Sequence, residues 1–349
     1  MFRKITLLAI TLFFAVSMAS AQEANETQIL QAQIDSLTVR LAKSEAKSEK
    51  WGKVVAALPK ISGYAMMGYT WNNEGEGESN FEIPYVRLSL AGDIGKMFDY
   101  KVQVELASPK LIDAYMRLKV APAFNVQLGQ FHVPFSLEGP LSPTKMEAIG
   151  NTPLTNLICK VPDTRDLGAS IYGKFAKHND RHLFEYAVGV FQGEGKNKAD
   201  ANKSKDVIGR LKFFPIEELC LTGSYSYGER GANYVVNNRA AAGFEYKDKS
   251  LLVRSEYMWH TQGTGDAALK TDGVYATAMY TIKKFAPVLR YTFTNQQLGA
   301  ANYLEQSYYT VGLNYMPCKY VKFQLNYTLT TSPTVKDYNT IGFLATAMF

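Results

Sequence analysis

The run Asp113-Ala114-Tyr115-Met116-Arg117-Leu118-Lys119-Val120 alternates in character at every step. Successive side chains of a β-strand point to opposite faces, so Asp113, Tyr115, Arg117 and Lys119 share one face. Ala114, Met116, Leu118 and Val120 share the other. Near the C-terminus, Lys322, Gln324, Asn326 and Thr328 likewise oppose Val321, Phe323, Leu325, Tyr327 and Leu329. One face of each segment is charged or polar. The opposite face is greasy and almost free of charge.

Extending this reading outward, sixteen such segments fit between Lys60 and Phe349. Each strand plus its turn has roughly eighteen residues, enough for the ten or so that a tilted barrel strand needs. Connections alternate in length. Short ones fall near Ala121-Pro122, Phe214-Pro215, Asp248, Lys284 and Met316-Pro317-Cys318. Longer ones, rich in Gly, Asn and charge, fall near 73–79, 193–205, 229–237, 262–270 and 297–305. Short turns at one rim and long loops at the other characterise an outer-membrane barrel. A soluble propeller or sandwich would bury its apolar faces against another sheet, yet would leave the charged second faces unexplained. In lipid every backbone group must pair within the protein, and a closed barrel is the β solution. The expected fold is therefore all-β: a sixteen-stranded antiparallel transmembrane barrel. Its last strand alternates through Ile341, Phe343, Ala345 and Ala347 to a terminal Phe349.

Composition agrees. Of 349 residues, 46% are hydrophobic and 20% charged, too greasy for a disordered chain. The 22 Tyr, 19 Phe and 26 Gly suit strands and tight turns. Three scattered Cys exclude a disulfide scaffold and a zinc cage built on CxxC pairs.

Residues 1–21 read as a signal peptide. Arg3 and Lys4 precede the apolar run Ile5 to Val16, and Ala19-Ser20-Ala21 offers a cleavage site. The mature chain would start at Gln22, with 36 basic residues against 32 acidic, too even for a nucleic-acid binder. Residues 22–59 differ from both neighbours. Leu30, Ile34, Leu37 and Leu41 are spaced as coiled-coil core positions are, and Ser44 and Ser48 weaken the seam before Trp51 and Val55. This predicts a periplasmic helix that packs on copies of itself, or a frayed linker. With both termini in the periplasm, the strand number must be even.

If Met116 and Leu118 face lipid, Arg117 and Lys119 face the lumen. The same rule puts Arg87, Lys101, Lys174, Arg210, Lys212, Arg254, Arg290 and Lys322 inside, with the acids Glu105, Asp113, Glu185, Glu245 and Glu256. Rings of basic side chains favour anions. Pairing such as Arg254 with Glu256, or Lys101 with Glu105, would cancel part of that field and leave a general water-filled porin.

Residues 133–164 lack alternation and contain five prolines, with a helical turn expected at Thr144 to Gly150. Folded inward, this loop would narrow the wide hole of a sixteen-stranded barrel and bring Lys145, Glu147 and Lys160 to the constriction. The alternative is a surface loop at a trimer contact.

Gly129-Gln130-Phe131-His132-Val133-Pro134-Phe135-Ser136-Leu137-Glu138 resembles the strand-to-loop motif of the phosphate-selective porins O and P. That motif typically runs Gly-Gln-aromatic-Lys-x-Pro-Phe-Gly-Leu-Glu. Arg165-Asp166-Leu167-Gly168 resembles the Arg-Asp-x-Gly step that follows the family's constriction loop. The resemblance implies a trimer of sixteen-stranded barrels with a basic lumen, passing small hydrophilic solutes or inorganic anions across the outer membrane. His132 stands where Lys is usual and Ser136 where a second Gly is usual, and the loop holds no arginine ladder.

No Gly-x-Ser-x-Gly elbow, HExxH or P-loop occurs, so no enzyme is expected and no cofactor or metal is implied. His178 and His182 flank a charged turn, and His260 follows Trp259 as a neighbour of an aromatic girdle. A structural tether or adhesin with a plugged barrel is the remaining alternative.

Overall fold

The computed structural model describes residues 33–41, 43–44, 59–265, 268–299 and 302–349. The expected signal peptide and most of the expected helix at 22–59 lie outside them. Residues 33–41 are helical, with Leu37 and Leu41 exposed. The chain divides into two units after Leu58.

The second unit is a closed antiparallel barrel of sixteen strands, each bonded to its neighbours in sequence. They are β1 (Lys60–Asn72), β2 (Glu78–Ile94), β3 (Phe98–Glu105), β4 (Lys110–Ala121), β5 (Phe124–His132), β6 (Arg165–His178), β7 (Arg181–Phe191) and β8 (Asp206–Ile216). The second half comprises β9 (Leu219–Arg230), β10 (Val235–Lys247), β11 (Leu251–Gln262), β12 (Leu269–Tyr280), β13 (Phe285–Gly299), β14 (Asn302–Cys318), β15 (Val321–Thr331) and β16 (Tyr338–Met348). The ladder closes where β1 meets β16, from Tyr64 opposite Met348 to Asn72 opposite Thr340. Gly63 and Phe349 exchange backbone hydrogen bonds of 3.0 and 3.1 Å at this seam, so the last residue completes the closure. With the cylinder shut, no strand edge is left unpaired in lipid.

Seven short turns share one rim with the start of β1 and the end of β16. One of four two-residue turns joins β6 to β7: His178 pairs with Arg181 around Asn179 and Asp180, whose φ values are 47° and 61°. Asn and Asp tolerate this left-handed geometry, whose twist matches a hairpin. The loop expected at 297–305 is shorter. The ladder continues through Gln297 opposite Tyr303 to Gly299 opposite Asn302.

Register follows the alternation. Leu128, Leu211, Leu289, Val311, Leu325 and Phe343 point outward and are exposed. Rings form two outer bands. Toward the short-turn rim, Phe175, Phe184 and Phe213 stack at 5.0 and 4.9 Å. Phe285, Tyr315, Phe323 and Phe343 continue the band across four strands. Toward the long-loop rim, Tyr225, Tyr227, Tyr257, Tyr291, Tyr309 and Tyr327 are exposed on the outer wall. Paired aromatic girdles around an apolar belt mark a barrel built for a bilayer.

Candidate functional site

The long connection 133–164 folds into the barrel, and the helical turn expected at Thr144 to Gly150 is present only at its start, while an α-helix lies further along. A short 3-10 turn spans Pro143–Lys145, and the α-helix spans Pro153–Cys159. Thr152 caps this helix by accepting from Thr155 N, and Pro153 fills its first position, where a missing N–H costs nothing. Thr-Pro was the available signal.

Motif residues anchor the loop. Gly129 has φ +123°, and a Cβ there would collide with the Ala114 carbonyl. Ser136 has φ +68°, a conformation glycine adopts freely, which explains why glycine suits this place. The Ser136 hydroxyl adds what glycine lacks. It donates to Glu256 Oε2 at 2.9 Å and accepts from Glu138 N and Gly139 N. Glu256, buried on β11, also accepts from Leu137 N, Glu138 N and Tyr275 Oη. Glu138 holds the helix start through Thr152 N, Thr152 Oγ1 and Thr155 Oγ1, and faces Arg290 Nη2 at 3.4 Å. Asp166 of the second motif accepts from Gly193 N at 2.6 Å, tying the next loop to β6.

Of the basic residues placed inside from sequence, several hold the loop. Arg254 binds Glu147 at 2.9 Å and also Glu245; the expected pairing with Glu256 does not form, because Glu256 caps the Ser136 turn. Arg290 also donates to Gly150 O, and Lys322 donates to Met146 O at 2.6 Å. Arg210 donates to Ser136 O at 2.8 Å. Sequence reasoning missed Arg239, fully buried on β10. It donates to Ile158 O, Val161 O and Ser226 Oγ, with Phe135 5.0 Å from its guanidinium carbon. Its place on one face with Glu245 was the signal.

The remaining basic residues pair along the opposite wall. Arg87 binds Glu105 at 3.0 Å, so Lys101 binds Asp113 instead, and Asp113 also takes Arg165. Arg117 and Lys119 share Asp99, and Lys119 reaches Asp93. Lys174 pairs with Glu185. Among the described residues Lys212 has no carboxylate within ion-pair distance. Lys145 and Lys160 of the loop are exposed. Burial pushes the Cys159 thiol, on the loop helix, up to about 12. His260 corrects an expectation: it faces inward, is buried, and bonds Asn237 Oδ1 at 3.0 Å rather than joining a girdle.

Between the loop and the inner wall of β4–β8 lies a cavity of about 460 Å³. Arg117, Lys174, Arg210 and Lys212 line it with the single acid Glu185, beside His132, Val133, Pro134 and Pro140 of the loop entry. Four cations against one carboxylate leave this section of the lumen electropositive, and Arg117 is offset by Asp99 outside the lining. Such a cavity can hold water and draw anions, since low-dielectric walls focus the field.

Residues 66–238 match the family model Phosphate-selective porin O and P, a span that includes both sequence motifs. The resemblance read from residues 129–138 and 165–168 therefore holds. No curated protein matches the chain. Among solved structures, an anion-selective porin from Comamonas acidovorans superposes with TM-score 0.66 at 13% identity, over 83% of this chain and 99% of that one. OmpF of Salmonella typhi in complex with daunomycin also gives 0.66 at 13% identity, over 84% and 98% of the two chains. OmpT of Vibrio cholerae in its trimer form gives 0.60 at 11% identity, over 84% and 100%. At these identities the likeness is one of fold: a sixteen-stranded outer-membrane barrel.

Proposed function

We propose that this chain is an outer-membrane porin that lets small hydrophilic solutes diffuse passively, with a modest preference for anions. The observation that carries the reading is the cavity left open beside the inward loop, lined by Arg117, Lys174, Arg210 and Lys212 against Glu185. Most of the inward charge is paired, which keeps the preference modest. Arg210, Arg254, Arg290 and Lys322 act as loop anchors more than as a free ladder. Of the four lining cations, Arg210 and Lys212 have no carboxylate within ion-pair distance among the described residues, and Arg210 is engaged with Ser136 O.

A porin O and P match supports the channel reading over an enzymatic one. The mature chain would begin at Gln22, residues 22–59 would form a self-associating periplasmic helix, and three barrels would assemble. Both barrel ends share the rim with the short turns, which supports periplasmic termini. Liposome swelling tests the function. Vesicles carrying the barrel should swell in small neutral sugars and progressively less in larger ones. Vesicles that stay shut to every solute, with the barrel folded, would refute it.

A further inference from the structure

The cavity beside the loop has two kinds of wall. On one side Lys212 stands without a carboxylate partner among the described residues, and Arg210 uses one N–H group on Ser136 O. On the other side Val133, Pro134 and Pro140 present ring and methyl surface with no charge. The loop that forms this second wall contains no Arg, and its two lysines, Lys145 and Lys160, do not line the cavity. A small inorganic oxyanion is recognised by a shell of donors on several sides. Here the Lys and Arg donors come from the barrel wall, and the loop side is apolar apart from His132 at the end of β5.

We propose that this cavity is a subsite for small organic monocarboxylates. The carboxylate meets Lys212 and the free N–H groups of Arg210, and the aliphatic or aromatic body lies along Pro134 and Pro140. A volume of about 460 Å³ accommodates an acid of several carbons together with water. The inference rests on the channel reading and names the solute that lingers in it.

The experiment measures block of potassium chloride current through the full-length barrel in planar bilayers, with acetate, butyrate, hexanoate and inorganic phosphate added in turn at neutral pH. Contact with an apolar wall strengthens binding by up to about fourfold per methylene, so partial contact predicts half-block about tenfold lower for hexanoate than for acetate. Phosphate should block no better than acetate. Lys212→Gln should raise the hexanoate half-block concentration about tenfold, the usual weight of a charge-assisted hydrogen bond. A flat chain-length series, or the same series in Lys212→Gln, would overturn the subsite while leaving the porin intact. Saturation-transfer NMR of hexanoate with the detergent-folded barrel gives a reading independent of conduction, and Lys212→Gln subtracts partition into micelles. Equal transfer in both proteins overturns the subsite. A folded barrel that conducts nothing refutes the channel instead.

Discussion

Ser136 and Glu256 lie 120 positions apart in sequence, yet the hydroxyl of one donates to the carboxylate of the other at 2.9 Å inside the barrel. This contact fixes the turn at which the chain leaves the β5 side and crosses the lumen. It also reconciles a left-handed backbone with a non-glycine residue, because the side chain that makes the conformation costly also makes three hydrogen bonds.

Ser136→Ala should therefore destabilise more than Ser136→Gly. Both lose the hydroxyl, but alanine retains the steric cost of positive φ, about 1–2 kcal/mol. The heat-induced shift in gel mobility of the folded barrel should occur at the lowest temperature for Ala, a higher one for Gly and the highest for the native chain. Equal transitions for all three would remove Ser136 from the anchor.

Arg254 and Glu147 form a buried ion pair between wall and loop at 2.9 Å. Removing only the arginine leaves Glu147 without its compensating charge, a loss of about 3–5 kcal/mol when a buried pair is broken. Arg254→Ala should thus free the loop and give noisier, larger single-channel currents. The double variant Arg254→Ala, Glu147→Ala should be less destabilised than the sum of the single ones. Strict additivity of the unfolding free energies would contradict the coupling.

Alternation made the fold legible. Met116 and Arg117 each announce a face, and sixteen repetitions of that contrast leave a closed barrel as the consistent solution. The loop resisted for a physical reason: its contacts are distant in sequence and owe nothing to periodicity. Arg254 looks like a partner for Glu256 two residues away, yet its acids are Glu245 on the neighbouring strand and Glu147 from the loop, 107 positions distant. His260 was read by its neighbour Trp259, although a period of two puts adjacent residues on opposite faces. Asn, Gln and Gly around 297–305 read as loop, but Gln297 pairs with Tyr303 and, after a register shift, Gly299 with Asn302. The pattern of greasy and polar faces simply ends there.

Thiol chemistry offers a test of orientation. Cys318 is exposed at the short-turn rim, whereas Cys159 is buried with its thiol pushed up to about 12 by desolvation. The thiolate is the reactive form, so raising a thiol's pKa keeps Cys159 protonated and inert through neutral and mildly alkaline pH. A membrane-impermeant maleimide of high mass should spare intact cells and label Cys318 once the periplasm is opened. Labelling of Cys318 from outside would invert the barrel. Labelling of Cys159 in the folded protein would contradict the loop's burial.

The charge of the lumen is read most directly by the reversal potential across a planar bilayer under a potassium chloride gradient. An inward-facing Arg117, Lys174, Arg210 and Lys212 against Glu185 predicts a potential displaced toward the chloride equilibrium value, and a smaller displacement in Lys212→Gln. A potential displaced toward the potassium value in the native chain would contradict the account.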